Sequence, residues 1–130
     1  MSIKEEFRLA LRELVYPVCV VSTYNDETKE NHAITVSSVT SLSFEPPSIL
    51  VCINKDSSIH SSLKKDSNFN ISFLSSSQTE ISNLCGTDEL SDKRFDNDFW
   101  DFKNNTGFIK NSQSVISVSY THLTLPTTVD

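Results

Sequence analysis

Glycine is nearly missing from this sequence: Gly86 and Gly107 are the only two in 130 residues. A dinucleotide-binding Gly-x-Gly-x-x-Gly turn and a Gly-x-x-x-x-Gly-Lys phosphate loop both need closely spaced glycines, so both are excluded. A nucleotide here has to be held by another device. Clustered cations are missing too. Eleven Lys and Arg against seventeen Asp and Glu give a formal charge of −6. No basic stretch is present to release counterions from a polyanion, and no nucleic-acid partner is expected. No apolar run approaches the eighteen or so residues that span a bilayer, so no membrane partner is expected either. The N-terminus carries Glu5 and Glu6 where a secretory leader would turn cationic and then apolar, which points to a cytoplasmic location. Cys19, Cys52 and Cys85 are odd in number and far apart, with no Cys-x-x-Cys. They read as three buried, reduced thiols rather than a zinc site or a disulfide. His32, His60 and His122 lack ligand spacing, and no metal site is expected.

What is present is mostly strand pattern. Ser2 and Glu5 form a possible capping box ahead of Phe7, Ala10, Leu11 and Leu14 at helical spacing. This predicts an amphipathic helix that covers a sheet and is ended by Pro17. The β-branched run Val18–Thr23 reads as a central strand, followed by a turn over 25–31. Strand character returns at 33–36 and 48–53, with Pro46-Pro47 marking a strand entrance or edge. Ser57 or Ser58 is placed to cap a short helix through Ile59 and Leu63. Phe69, Ile71 and Phe73 alternate with polar residues, the period of a half-buried strand. Ser77 and Glu80 suggest a second capping box, with Ile81, Leu84 and Cys85 on one face. An acidic, irregular stretch from Asp88 to Asn105 contains Arg94-Phe95 and Phe99-Trp100, and the aromatic pair reads as a core plug. Several strands with few, short helices predict a mainly β fold, a closed or partly closed β-barrel.

Four stretches, taken in order, resemble the flavin reductase-like family. They are Phe7-Arg8-x-Ala10-Leu11-Arg12, Pro17-Val18-x-Val20-Val21, Thr35-Val36-Ser37-Ser38-x-x-Ser41-Leu42-Ser43, and Pro46-Pro47-x-x-Leu50-Val51-Cys52-Ile53-Asn54. Ser57, Leu63, Phe69-x-Ile71, Leu74, Gln78, Arg94-Phe95 and Trp100 keep the order and spacing. The likeness runs from about Phe7 to about Gly107. It implies an FMN-binding split barrel that dimerises, binds FMN or FAD, uses NADH or NADPH to reduce the flavin, and passes it to a partner monooxygenase.

On that resemblance, Thr35, Val36, Ser37, Ser38 and Ser41 line the flavin, with backbone amides facing the polar edge of its ring. Cys52 lies within the strand over 48–53, and Asn54 follows it, near the ribityl chain. Ser57 and Ser58, ahead of a helical turn, supply phosphate donors, with Lys55 adding a charge. Each has a plainer reading: serines beside strands serve turns, Ser57 and Ser58 cap, and Lys55 is a solvated charge. No protein acid, base or nucleophile is expected, because hydride transfer belongs to the nicotinamide and flavin.

The likeness fades from about Gln113. Members of the family continue with a Gly-Asp-His element near the nicotinamide, and no such element occurs in this sequence. The expectation is therefore a C-terminally incomplete domain over 1–117, with 118–130 a non-native tail. Against this, Ile116, Val118 and Tyr120 alternate as a real strand would.

Overall fold

The β-branched run around Val20 and Val21 forms the middle of the molecule. The computed structural model describes residues 2–14, 16–64 and 67–119. Strand β1 (Cys19–Asn25) pairs antiparallel on one side with β2 (Glu30–Val36) and on the other with β5 (Asn68–Phe73). β5 also pairs with β8 (Ser114–Ser119), giving a four-stranded sheet of order β2-β1-β5-β8. Two hairpins flank it: β3 (Val39–Phe44) with β4 (Pro47–Val51), and β6 (Trp100–Lys103) with β7 (Thr106–Ile109). The helices are α1 (Ile3–Arg12), α2 (Thr79–Gly86), and 3-10 turns at His60–Ser62 and Asp88–Lys93. The fold is thus mainly β with few, short helices. Among the described residues no helix is long and apolar enough to cross a membrane.

Both faces of the sheet are buried, and they are chemically different. Successive strand residues point to opposite sides. Cys19, Val21, Val36, Phe69 and Ile71 meet Ile49, Val51, Ile53, Ile59 and Leu63 in one apolar cluster beneath the β3–β4 hairpin. Val20 and Ala33 face the other way, against Ile81, Cys85, Trp100 and Ile109 of α2 and the β6–β7 hairpin. That second face also carries polar residues, and it buries them. Ser22 Oγ and Asn70 Nδ2 both donate to the Gly107 carbonyl, at 2.6 and 2.9 Å. Ile109 N–H donates to Ser72 Oγ at 3.0 Å, and Ser117 Oγ to Asn70 Oδ1 at 2.8 Å. Side chains of the sheet thereby satisfy the outward backbone groups of β7. The half-buried strand predicted over 69–73 is therefore buried on both sides.

The β6–β7 hairpin turns through Asn104 and Asn105, both left-handed (φ 52 and 71). That is the requirement of a two-residue type I′ loop, which Asn meets at low cost.

Several expectations need correction. α1 forms, with Ser2 Oγ accepting from Glu5 N–H at 3.1 Å, but it covers no sheet and has no buried residue. Both sheet faces are already occupied by other elements. The helix ends at Arg12, well before Pro17. β3 is a strand that the serine-rich pattern hid. Neither Ser57 nor Ser58 caps the 3-10 turn, whose N-cap is Ile59, and Ser77 does not cap α2, whose N-cap is Gln78. Cys19 and Cys85 are buried, but Cys52 is exposed because β4 ends one residue before it. Ile116 and Val118 do lie in a strand, β8, in register with β5. Tyr120, His122 and the rest of the predicted tail fall outside the described residues.

Candidate functional site

β2 ends at Val36, and the chain turns at once into β3. The predicted residues 35–38 therefore straddle a strand end. Val36 is committed to the apolar cluster beneath the hairpin. The Thr35 hydroxyl is also committed, donating to the Ser82 carbonyl of α2 at 2.7 Å. Its backbone is a different matter. A strand residue points its N–H and C=O to the same side, and alternate residues point opposite ways. The Ala33 carbonyl points away from β1, where it accepts from Arg94 Nη1 at 2.8 Å. Thr35, two residues on, aims its own amide off the same edge.

Ser37 and Ser38 are exposed. Cys52 N–H donates to the Ser38 carbonyl at 3.0 Å, one more rung beyond Val39 opposite Val51. That bond joins the strand end at 35–38 to the segment that leaves β4. Two residues on, Asn54 folds this segment back: its Oδ1 accepts from Asp56 N–H at 2.9 Å, and its carbonyl accepts from Ser57 Oγ at 2.6 Å. Lys55 stands exposed in the turn and makes no ion pair among the described residues. Ser41 is not brought to this group. It stands opposite Ile49, three residues along the hairpin from the Ser38–Cys52 rung, about 10 Å at strand rise.

The structure thus joins the 35–38 segment to the 52–58 segment at one rung, Ser38 to Cys52, with Asn54, Lys55, Ser57 and Ser58 following in the turn beyond it, and leaves Ser41 apart. Among the described residues the hydroxyls of Ser37, Ser38 and Ser58 donate to no protein acceptor, whereas those of Thr35 and Ser57 do. Free hydroxyls, an outward amide and a mobile ammonium suit a phosphate and the polar edge of a flat ring. The 3-10 turn after Ser58 has three residues, too few to add a helix dipole. The predicted phosphate role of Ser57 and Ser58 therefore rests on hydroxyls alone. None of the ten residues lines either of the described cavities. The larger, about 450 Å³, lies beside β8 and is lined by Asn70, Lys103, Phe108 and Ser117 among others.

Two buried thiols are out of play chemically. Burial pushes Cys19 and Cys85 up to about 11, for Cys85 against the opposing charge of Arg94. Neither is a thiolate near neutrality.

Arg94 was visible in the sequence only as a spaced Arg-Phe pair in an acidic run. In the fold it is buried, at 7% exposure, and its guanidinium donates to three carbonyls: Ala33, Leu84 (3.2 Å) and Thr87 (3.2 Å). Trp100 Nε1 donates to the Arg94 carbonyl at 2.6 Å, and the Trp100 ring stacks on Phe95 at 4.4 Å. The predicted core plug is Trp100 itself, at 5% exposure.

A family model described as a flavin reductase like domain matches residues 11–124. The reductase component of an FADH(2)-dependent resorcinol hydroxylase from Rhizobium sp. is 30% identical over 99 residues, which is 76% of this chain and 55% of that protein. An NADH:riboflavin 5'-phosphate oxidoreductase from Streptomyces pristinaespiralis is 35% identical over 83 residues, 64% of this chain and 47% of its own. The chain spans about half the length of the curated relatives it matches. Among solved structures, the NADH:FAD oxidoreductase of Streptomyces globisporus, in complex with NAD and FAD fragments, superposes with a TM-score of 0.79. It is 22% identical and covers 90% of this chain and 69% of that one. At that identity the likeness speaks for the fold.

Proposed function

The chain belongs to the flavin reductase like domain family, and from that premise we propose that it binds FMN or FAD and serves as the flavin-binding part of an NAD(P)H:flavin oxidoreductase. The reduced flavin passes to a partner monooxygenase. The observation that carries this reading is the rim joined by the Ser38–Cys52 bond, where hydroxyls uncommitted to the protein stand beside an outward strand edge. The bound flavin supplies the hydride acceptor, and the nicotinamide supplies the hydride.

The chain's own residues bind and orient. Ser37 and Ser38, with the Thr35 amide, take the polar edge of the ring. Cys52 and Asn54 border the ribityl chain. Ser58 and Lys55 hold the phosphate, and Ser57 fixes the turn that presents them. Ser41 reaches this ligand only from a second face, for which a partner copy is the natural source. A split barrel and a homodimer belong to the same reading, located in the cytoplasm. The packing of Val39, Ile49 and Val51 of the β3–β4 hairpin against one sheet face supports the barrel reading. The apolar residues Phe7, Leu42 and Phe44, the last 92% exposed, offer surface for a second copy.

The test is titration of the purified chain with FMN and with FAD, followed by the quenching of flavin fluorescence, and then NADH oxidation with and without flavin. Saturable binding that weakens when Ser37 and Ser38 are both changed to bulky residues supports the proposal. Absence of binding for both flavins removes it. Tight binding with no flavin-dependent NADH or NADPH oxidation would instead mark a flavin carrier.

A further inference from the structure

We propose that Arg94 is a positioning residue for the flavin rim, holding the outer edge of β2 against α2 so that Ser37 and Ser38 leave the strand in a fixed place. The proposal rests on the flavin-binding reading above.

An edge strand normally presents a row of unpaired backbone groups. Here the outer edge of β2 is tied at two points instead. At Ala33 the carbonyl is taken by Arg94 Nη1 at 2.8 Å. Two residues further, the Thr35 side chain donates to Ser82 of α2 at 2.7 Å. The other two donors of the same guanidinium reach Leu84 and Thr87, at the C-terminal end of α2. A cation at that end is stabilised by the carbonyl dipoles that the helix leaves without partners. No carboxylate pairs with Arg94 among the described residues. Three carbonyls are its counter-charge, and they come from two different elements.

This arrangement needs the guanidinium fork. Its donors are rigidly spread in one plane, so fixing one carbonyl fixes the others relative to it. A lysine ammonium is a point charge and cannot meet Ala33, Leu84 and Thr87 in these positions together. Arg94 lies next to the rim without being part of it: the Ala33 carbonyl it holds is two residues before Thr35 and four before Ser37. Its tie to Trp100, through the 2.6 Å bond to the Arg94 carbonyl, keeps the arginine's own backbone from shifting.

The test uses the 130-residue chain with Arg94→Lys, and separately Thr35→Val and Thr35→Ser. FMN affinity is measured by fluorescence quenching. Amide exchange of residues 35–38 is measured without flavin, with the β5 amides as internal reference. Loosening a brace of this kind is expected to weaken FMN about ten-fold in Arg94→Lys and in Thr35→Val, with Thr35→Ser restoring affinity. It should also speed exchange at 35–38 while leaving β5 unchanged. A purely structural arginine would lower the unfolding midpoint and leave both readouts where they are in the folded molecules. Wild-type affinity within two-fold in Thr35→Val and in folded Arg94→Lys, or unchanged exchange at 35–38, overturns the proposal while leaving flavin binding intact. If Arg94→Lys does not fold, the Thr35 pair decides. A wild-type chain that binds neither FMN nor FAD overturns the underlying reading and the brace with it.

Discussion

Ser22 and Ser72 are a matched pair whose replacement should cost very different amounts. Both sit on the inner polar face of the sheet, at 1% and 0% exposure, and both contact the backbone of β7. Changing either to alanine removes the same oxygen and leaves the same small void, so packing terms cancel. What differs is the group left behind. Ser72 Oγ is the acceptor for the Ile109 amide, and Ile109 is 1% exposed. Residues Trp100 and Ile109 are opposite each other but the neighbouring bond is Lys110 N–H to Phe99 carbonyl, so the Ile109 amide points away from β6. Ser72→Ala therefore strands a buried donor, at about 1–3 kcal/mol. Ser22→Ala withdraws one donor from the Gly107 carbonyl, which keeps Asn70 Nδ2 at 2.9 Å. That loss is nearer 0.5–1.5 kcal/mol, the net worth of an ordinary hydrogen bond.

The assay is urea unfolding read from Trp100, the single tryptophan, buried and stacked on Phe95. Its emission reports the same layer that the serines hold. The expected result is a clearly lower midpoint for Ser72→Ala than for Ser22→Ala, with an unchanged denaturant slope, since the exposed area on unfolding is the same. Equal costs, or a larger cost for Ser22→Ala, would refute the argument that orphaned donors rather than lost contacts set the penalty.

Other outcomes follow from the same layer and its surroundings. In Gly107→Ala the new Cβ would lie 2.9 Å from Trp100 Cε3 and 3.1 Å from Phe102 Cε1; Phe102 can swing into solvent, but Trp100 is fixed by its bond to Arg94, so a loss of about 1–3 kcal/mol in urea unfolding is expected. Asn105→Ala, at φ 71 in the I′ loop, should lower stability by about 1–2 kcal/mol, measured the same way; no loss would show that the left-handed turn is not what Asn105 supplies. A thiol reagent should modify Cys52 quickly in the native chain and reach Cys19 and Cys85 only on unfolding. The buried thiols also set a pH dependence. Their folded values are raised from 9.0 to about 11, so between those limits the unfolded chain has lost protons that the folded chain keeps. Stability is full below pH 9 and falls as pH rises toward 11, by roughly 1.4 kcal/mol per pH unit for each thiol. Cys19→Ala should flatten that fall in a midpoint-against-pH series.

The parts of the fold that were legible in the sequence are those where one physical rule acts alone. β1 was readable because every residue from Cys19 to Thr23 is buried, and a β-branched run satisfies that without regard to face. The predicted segments 35–38 and 52–58 stood out through their order of motifs, and the fold joins them at the Ser38–Cys52 rung, with Ser41 apart. β3 was not readable, because Val39, Leu42 and Phe44 do not keep a two-residue period across the irregularity between Ser41 and Ser43, and its serines and threonine suit turns as well as strand pairing. α1 misled for the opposite reason. Its apolar stripe and cap are local properties, satisfied within Ser2–Leu14, and whether a helix finds a sheet depends on what already covers that sheet.

The inner polar face carries the deeper lesson. Alternation of Phe69, Ile71 and Phe73 with Asn70 and Ser72 normally means a solvent-facing side, yet Asn70 and Ser72 are 5% and 0% exposed. A second layer of apolar side chains could have covered the sheet there. Instead β7 lies on it with its backbone edge inward, and a backbone edge can be buried only if its donors and acceptors are met. Ser22, Asn70, Ser72 and Ser117 are the short polar groups that meet them. Because each reaches a particular group on β7, a shift of the hairpin by one residue would turn Gly107 and Ile109 away and strand every partner at once. The cost of polar residues in this core is offset by a single permitted register for β7, and through Trp100 that register is passed to Arg94 and the edge of β2.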